Sequence, residues 1–401
     1  MYLCKVNVFE TKIICKTFQG LEQVLAEELN ALNAQNISII KRAVVCDYNL
    51  ELLYRCNLEL RTCLKVLVPV FEFESDSPDD LYNFATRISW EDYMDIDQNF
   101  AIDFTIQSEY FKHSQFASLK LKDAICDRFR NYNKGKRPDI NTENPDILFN
   151  LHIYRNQVTI SLDSSGTSLH QRGNRIEQTI APINEVLAAG LILLSKWDKQ
   201  SHFIDAMCGS GTIVMEAASM AIQKAPNLDR NYFCFKQWKN YDNGLYDDIC
   251  TELEQKISEF KFKIIASDNS KKSIFTTKNN VKKSGFSKWI DIREVSIQKV
   301  IPPMGKGTLI INPPYGERME SYEIDRLYKQ IGTAFKEHFT DYTCGIISSN
   351  MEALKIIGLK PLKKYPLING KLDCVFNLYE MYEGSRRKPK SSDGLDENDI
   401  N

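Results

Sequence analysis

An apolar strand that runs straight into two consecutive prolines constrains this chain more than any other feature. The segment TLIINPPYGERM occupies residues 308–319. Neither Pro313 nor Pro314 has an N–H to give a ladder, and each holds φ near −65°, so the strand must stop at Asn312 in a stiff turn that presents carbonyls. Such a turn suits one kind of chemistry. An exocyclic base amine is a weak nucleophile because its lone pair is conjugated into the ring. The Asn312 side-chain oxygen and a proline carbonyl are both acceptors, able to hold its two N–H groups and favour a pyramidal nitrogen. Tyr315 is expected to stack on the base once it leaves its helix or loop. Catalysis would consist of positioning and polarisation, with no metal. The bland alternative is a proline turn with an asparagine cap.

Two other strand ends fit the same picture. In FIDAMCGSGTIVMEAA, residues 203–218, an apolar strand ends in Asp205 and turns through Cys208, Gly209, Ser210, Gly211 and Thr212 into a helix. The glycines let backbone approach a ligand without a Cβ in the way. The third glycine of a dinucleotide fingerprint is missing. A carboxylate before the loop suits a cationic amino group better than a phosphate, which points to the aminocarboxypropyl end of S-adenosylmethionine; the alternative is a tight strand-to-helix turn with no ligand. In IIASDNS a strand ends in Asp268, placed to accept ribose hydroxyls or to cap the following helix. Asp205 and Asp268 are separated by far more than the ~20 residues of the nicotinamide fingerprint, so an insertion beyond one helix is expected between them.

From about residue 183 helical and strand patterns alternate, as in a parallel sheet wound on both faces. Before SGTSLHQRGNR, a linker near 165–175, the pattern is that of two smaller α+β units, with a hairpin turned at Arg155 and Asn156. The tail from Gly384 is charged and nearly free of large apolar residues, so it is expected to be disordered. With 51 Lys and Arg against 53 Asp and Glu, nucleic-acid binding would need a local basic face. Eleven cysteines without a CxxC pair or a Cys/His cluster argue against a disulfide framework and a zinc site. The start lacks a signal-peptide core and no stretch approaches a membrane span. The expectation is a soluble, unprocessed cytoplasmic protein.

LHQRGNR (169–175), the Ala181–Pro182 step, DAMCGSGT (205–212), FKQWKNYD (235–242) and NPPYGER (312–318) together resemble the THUMP-containing class I S-adenosylmethionine-dependent RNA methyltransferases. The likeness is closest to the amino-terminal module of the guanine-N2-methyltransferases of 23S ribosomal RNA, and covers about residues 45–380. It implies an α/β chain with a ferredoxin-like unit (1–60), a THUMP RNA-binding domain (61–165), a Rossmann-like methyltransferase domain (166–383) and the tail (384–401). By that resemblance Asp205 and the Cys208–Thr212 loop hold the methionine part, Asp268 the ribose, and Asn312, Pro313, Pro314 and Tyr315 the target amine. Where relatives carry an Asp for the adenine amino group, this chain has Ser296. The second methyltransferase module of some bacterial relatives is not expected here.

The implied partner is RNA: 23S rRNA or a ribosome assembly intermediate first, tRNA next, with the protein acting as a monomer. Lys120, Lys122, Arg128, Arg130, Lys134, Lys136 and Arg137, interleaved with Phe129 and Tyr132, suit phosphate contacts with occasional stacking, though a solvated helix face gives the same pattern. Lys282, Lys283 and Lys288 are candidates for a second contact near the catalytic mouth. His152 reads as structural, and His170 as an RNA contact or a linker residue. The competing readings are a tRNA guanine-N2 enzyme, a DNA adenine-N6 methyltransferase, and an inert RNA-binding assembly factor with Ser296 as its best support.

Overall fold

The computed structural model describes residues 12–172, 183–316 and 320–384. Its first half runs β1 (Lys12–Lys16), α1 (Glu22–Ala31), β2 (Ser38–Ile40), β3 (Ala43–Asp47), α2 (Leu50–Glu59), β4 (Lys65–Glu74), α3 (Pro78–Ala85), β5 (Phe100–Gln107), α4 (Ser114–Tyr132), β6 (Ile147–Tyr154) and β7 (Gln157–Asp163). The second half runs α5 (Glu185–Leu194), β8 (His202–Asp205), α6 (Thr212–Ala221), α7 (Asn243–Gln255), β9 (Ile264–Asp268), α8 (Lys271–Lys283) and β10 (Ile290–Glu294). It continues through β11 (Gly307–Ile311), α9 (Ser321–His338), β12 (Tyr342–Ser348), α10 (Met351–Ile356), β13 (Lys363–Asn369) and β14 (Leu372–Glu380).

The first seven strands form one sheet in the order β2-β3-β1-β4-β7-β6-β5. β4 joins its two parts, pairing antiparallel with β1 on one edge and with β7 on the other. The two small α+β units therefore share a hydrogen-bonded ladder across the expected boundary near residue 60. Pro69 lies inside β4, where proline removes a ladder donor, and the β4–β7 register shifts between Pro69 and Phe71. The β6–β7 hairpin turns through Arg155, whose φ is +56°.

The second sheet has the order β10-β9-β8-β11-β12-β14-β13. The first five strands are mutually parallel, and β14 and β13 close the edge antiparallel. Strands buried on both faces are apolar almost throughout, as β9 (IIASD) and β11 (GTLII) are. One face is covered by a core that includes residues of α5, α6 and α8, the other by one built around α9 and α10. α5 (EVLAAGLILL) is apolar on nearly every side because nearly every side is covered. At β8 the chain order reverses: β9 and β10 lie to one side of it and β11 to the other. The crevice beyond the carboxyl ends of these strands is where open α/β sheets bind ligands.

The expected insertion between α6 and β9 contains α7 and a short 3-10 turn at Cys234–Gln237. It packs away from its own sheet. Phe233, Phe235, Trp238, Tyr246, Ile249 and Leu253 belong to the core of the first half, with the Phe235 ring 4.7 Å from that of Tyr54. Arg172 adds a polar tie. Its buried guanidinium donates to the carbonyls of Leu169 (2.6 Å) and Arg61 (2.7 Å) and pairs with Glu216 on α6 at 3.2 Å. The remainder of the RGNR motif, Ala181, Pro182, Glu317, Arg318 and the tail beyond Gly384 lie outside the described residues.

Candidate active site

Three strand ends meet in one cavity of about 870 Å³. Asp205 closes β8. Its carboxylate is buried, accepts one hydrogen bond from the Met207 N–H (3.0 Å), and takes part in no ion pair among the described residues. Burial, reinforced by the nearby Asp268 charge, pushes its pKa up to about 8. A carboxyl in that condition is an unbalanced seat for a cation.

The loop after Asp205 is held from behind. Gly209 and Gly211 have φ of +56° and +85°, and a Cβ on Gly211 would lie 3.0 Å from Thr277 Cγ2. Thr277 Oγ1 donates to the Gly209 carbonyl at 2.9 Å, and Asn280 Nδ2 to that of Ser210 at 3.0 Å. Cys208 is buried with its thiol 3.5 Å from Thr277 Oγ1, and Ser210 and Thr212 share a 3.3 Å hydroxyl contact. Neither Thr277 nor Asn280 was singled out from the sequence. The signal was there: polar residues three apart on the apolar face of α8.

Asp268 ends β9, and both of its carboxylate oxygens accept backbone N–H groups, from Ser270 at 2.9 Å and Gly209 at 3.0 Å. The N-cap of α8 is Ser270, whose side chain accepts from the Ser273 N–H. Asp268 is thus not the cap. It ties the first loop to the second and lines the cavity, as does Ser296 beyond β10.

Asn312, Pro313, Pro314 and Tyr315 follow β11 and line the same cavity. The Tyr315 hydroxyl donates to Asn312 Oδ1 at 2.6 Å and accepts from Asn369 Nδ2 at 3.1 Å. Asn350 Nδ2 reaches the Tyr315 carbonyl at 3.3 Å. The ring packs against the core, and burial raises the phenol pKa. Tyr315 therefore orients the Asn312 amide as it stands, and its ring is not held out as a free stacking platform. Asn369, at the β13–β14 turn, was missed by sequence reading, since nothing local ties a hairpin tip to a turn 54 residues away.

The basic stretch on and after α4 looks different in three dimensions. Lys120 pairs with Asp79 at 2.7 Å, Lys122 with Asp123, Arg128 with Glu91, and Arg130 with Asp127. Arg137 contacts the Cys126 sulfur at 3.7 Å. Lys134 and Lys136 are exposed and carry no ion pair among the described residues. Phe129 is a correction: it is 3% exposed within the core and offers no face to a base, whereas Tyr132 is exposed under the Arg128 guanidinium. His152 lies on β6 with its side chain outward, and His170 Nδ1 meets the Ser168 hydroxyl at 2.8 Å. Among the described residues no His, Cys, Asp or Glu group could hold a metal ion, and no helix is long and apolar enough to cross a membrane.

Comparison with known proteins agrees with this architecture. Residues 172–377 match the family described as RMKL-like, methyltransferase domain; residues 75–163 match the THUMP domain and 12–67 the RlmL ferredoxin-like domain. The chain is 36% identical over 368 residues to the ribosomal RNA large subunit methyltransferase K/L of Syntrophotalea carbinolica, covering 89% of this chain and 52% of that protein. It thus spans about half the length of the curated relatives it matches. Among solved structures, a possible methylase from Clostridium difficile 630 is 30% identical, with a TM-score of 0.85 over 94% of this chain and 100% of that one. SMU.472, a candidate methyltransferase solved with SAH, is 26% identical with a TM-score of 0.85, over 94% of this chain and 99% of that one.

Proposed function

Because the chain belongs to the RMKL-like methyltransferase family, we propose that it transfers a methyl group from S-adenosylmethionine to the exocyclic 2-amino group of a guanine in 23S ribosomal RNA, acting in the cytoplasm. The observation that carries this reading is the sharing of one cavity by two strand-end carboxylates and an Asn-Pro-Pro-Tyr turn.

The residues present suit the donor. S-adenosylmethionine supplies a methyl on a sulfonium sulfur, which passes to the attacking nitrogen in one displacement. Asp205, buried and in no ion pair among the described residues, balances the ammonium of the methionine part. The left-handed glycines let the Cys208–Thr212 backbone close on that part without side-chain interference. Asp268 keeps acceptor capacity beyond its two backbone bonds for ribose hydroxyls, and Ser296, which lines the same cavity, would offer its hydroxyl to the adenine as donor or acceptor. Asn312 Oδ1 has one lone pair engaged by Tyr315, which leaves the other for the target amine, with the Pro313 carbonyl as second acceptor. Holding both amine hydrogens turns the nitrogen lone pair toward the methyl, and the lost proton leaves to water.

The test is transfer of labelled methyl to separate pools of unmodified 23S rRNA, 16S rRNA, tRNA and DNA, followed by nucleoside analysis. N2-methylguanosine confined to 23S rRNA is the expected result. Label confined to tRNA, or methyladenine in DNA, would replace the substrate, and cofactor binding without transfer to any pool would favour an RNA-binding factor over an enzyme.

A further inference from the structure

We infer that the exposed ridge of α8 is the principal surface on which this protein holds the phosphates of the RNA flanking its target nucleotide, in preference to the basic stretch on and after α4. The inference rests on the RNA reading above and extends it to a docking surface.

Between Asp268 and Asp291 the chain has six lysines and no acid. Lys271, Lys272, Lys278, Lys282 and Lys283 are all exposed on α8, and none forms an ion pair among the described residues; Lys288, past the helix, pairs with Glu259. Lys271, Phe275, Lys278 and Lys282 follow i, i+4, i+7, i+11 spacing, which places them in one line along ~16 Å of helix. Phe275 is 62% exposed in that line, a face on which a base can stack between phosphate contacts. The opposite side of the helix is buried against the sheet and holds the cofactor loop through Thr277 and Asn280.

Two features of this ridge are unfavourable unless an anion comes from outside. Lys271 and Lys272 sit in the first turn, where the helix dipole disfavours positive charge, and Lys278 and Lys282 repel each other at i, i+4. On α4, by contrast, Asp79, Glu91, Asp123 and Asp127 already neutralise four of the cations. Position agrees with charge. Ser270, Lys272 and Ser273, at the start of α8, line the cavity, so a strand whose base enters the cavity has its neighbouring phosphates at the foot of the ridge.

The experiment compares the full chain with the Lys271→Gln/Lys278→Gln/Lys282→Gln variant and with Lys134→Gln/Lys136→Gln, measuring the affinity of an unmodified 23S rRNA transcript from 50 to 300 mM salt. None of the three α8 lysines lines the cavity, so S-adenosylmethionine affinity should stay at the wild-type value and report correct folding. The expected result is a log–log salt slope shallower by about 2–3 for the α8 variant and by less for the α4 pair. An unchanged slope in a cofactor-competent α8 variant, with a salt-dependent wild type, overturns this surface alone. A wild type that does not bind the transcript at any salt overturns the proposed function and this inference with it.

Discussion

A buried carboxyl without a cation is costly to ionise, and Asp205 has no paired cation among the described residues. Its ordinary pKa near 3.8 is raised to about 8, so the free protein binds this proton more tightly folded than unfolded. The stabilisation from the protonated form is fully present below about pH 4 and is lost as pH rises through 8. Asp205→Asn, a neutral mimic, should therefore raise the thermal midpoint of the unliganded protein at pH 9 and change it little at pH 4. Binding of S-adenosylmethionine at pH 7 should release close to one proton, seen by calorimetry in buffers of different ionisation enthalpy, and affinity should weaken up to about tenfold per pH unit below 8. An equal proton release in Asp205→Asn would count against the ammonium contact. Asn312→Ala should slow methyl transfer by roughly 10²–10³-fold while leaving cofactor affinity nearly intact; an unimpaired single-turnover rate would remove Asn312 from the chemistry. Both residues stood out in the sequence because each ends an apolar strand. What Asp268 does besides, and that Ser270 caps α8 in its place, depends on a loop 59 residues away.

At the scale of elements, helices and strands followed from periodicity, but the reason for individual residues inside them often did not. Gly332 sits in the middle of α9, where replacement by alanine would ordinarily favour a helix by ~1 kcal/mol. Here a Cβ would come 2.2 Å from the Ile357 carbonyl oxygen, just past α10. Backbone cannot yield cheaply at that distance, so Gly332→Ala is expected to destabilise the protein by about 1–3 kcal/mol in chemical denaturation. A stabilised variant would mean that α9 and α10 separate freely. α4 makes the same point with charge. Its helical pattern and basic run were plain in the sequence, yet Phe129 turned out to be core and Lys120 and Arg128 to be engaged by acids 41 and 37 residues distant.

Across the whole molecule the two sheets are bound by features from both halves. The insertion carrying α7 completes the first core, with Arg55 of α2 paired to Glu252 of α7 and Asn227 Nδ2 donating to the Asn57 carbonyl. Arg172 and Arg61 flank the buried Glu216 of α6. Removing one partner of a buried ion pair leaves a charge uncompensated, so Arg172→Ala should lose roughly 3–5 kcal/mol, and Arg172→Lys should not restore it because the forked donors to two carbonyls are lost. Equilibrium unfolding of the wild type should be a single transition by probes in both halves. Separate transitions, with the second half unaffected by Arg172→Ala, would show that the contact does not couple them.

By itself, the sequence determined the alternation of helix and strand that begins near residue 183, the doubly wound second half, and the three strand ends that carry Asp205, Asp268 and Asn312, because alternation, glycine turns and proline stops act through neighbours in the chain. Tertiary structure alone decided that the first two units share a sheet through β4, that Tyr315 and Asn369 orient Asn312, and which lysines have no ion-pair partner among the described residues. Those outcomes depend on groups far apart in sequence being brought within hydrogen-bonding or ion-pairing distance. Local pattern carries no record of a partner such as Glu216, 44 residues from the arginine it balances.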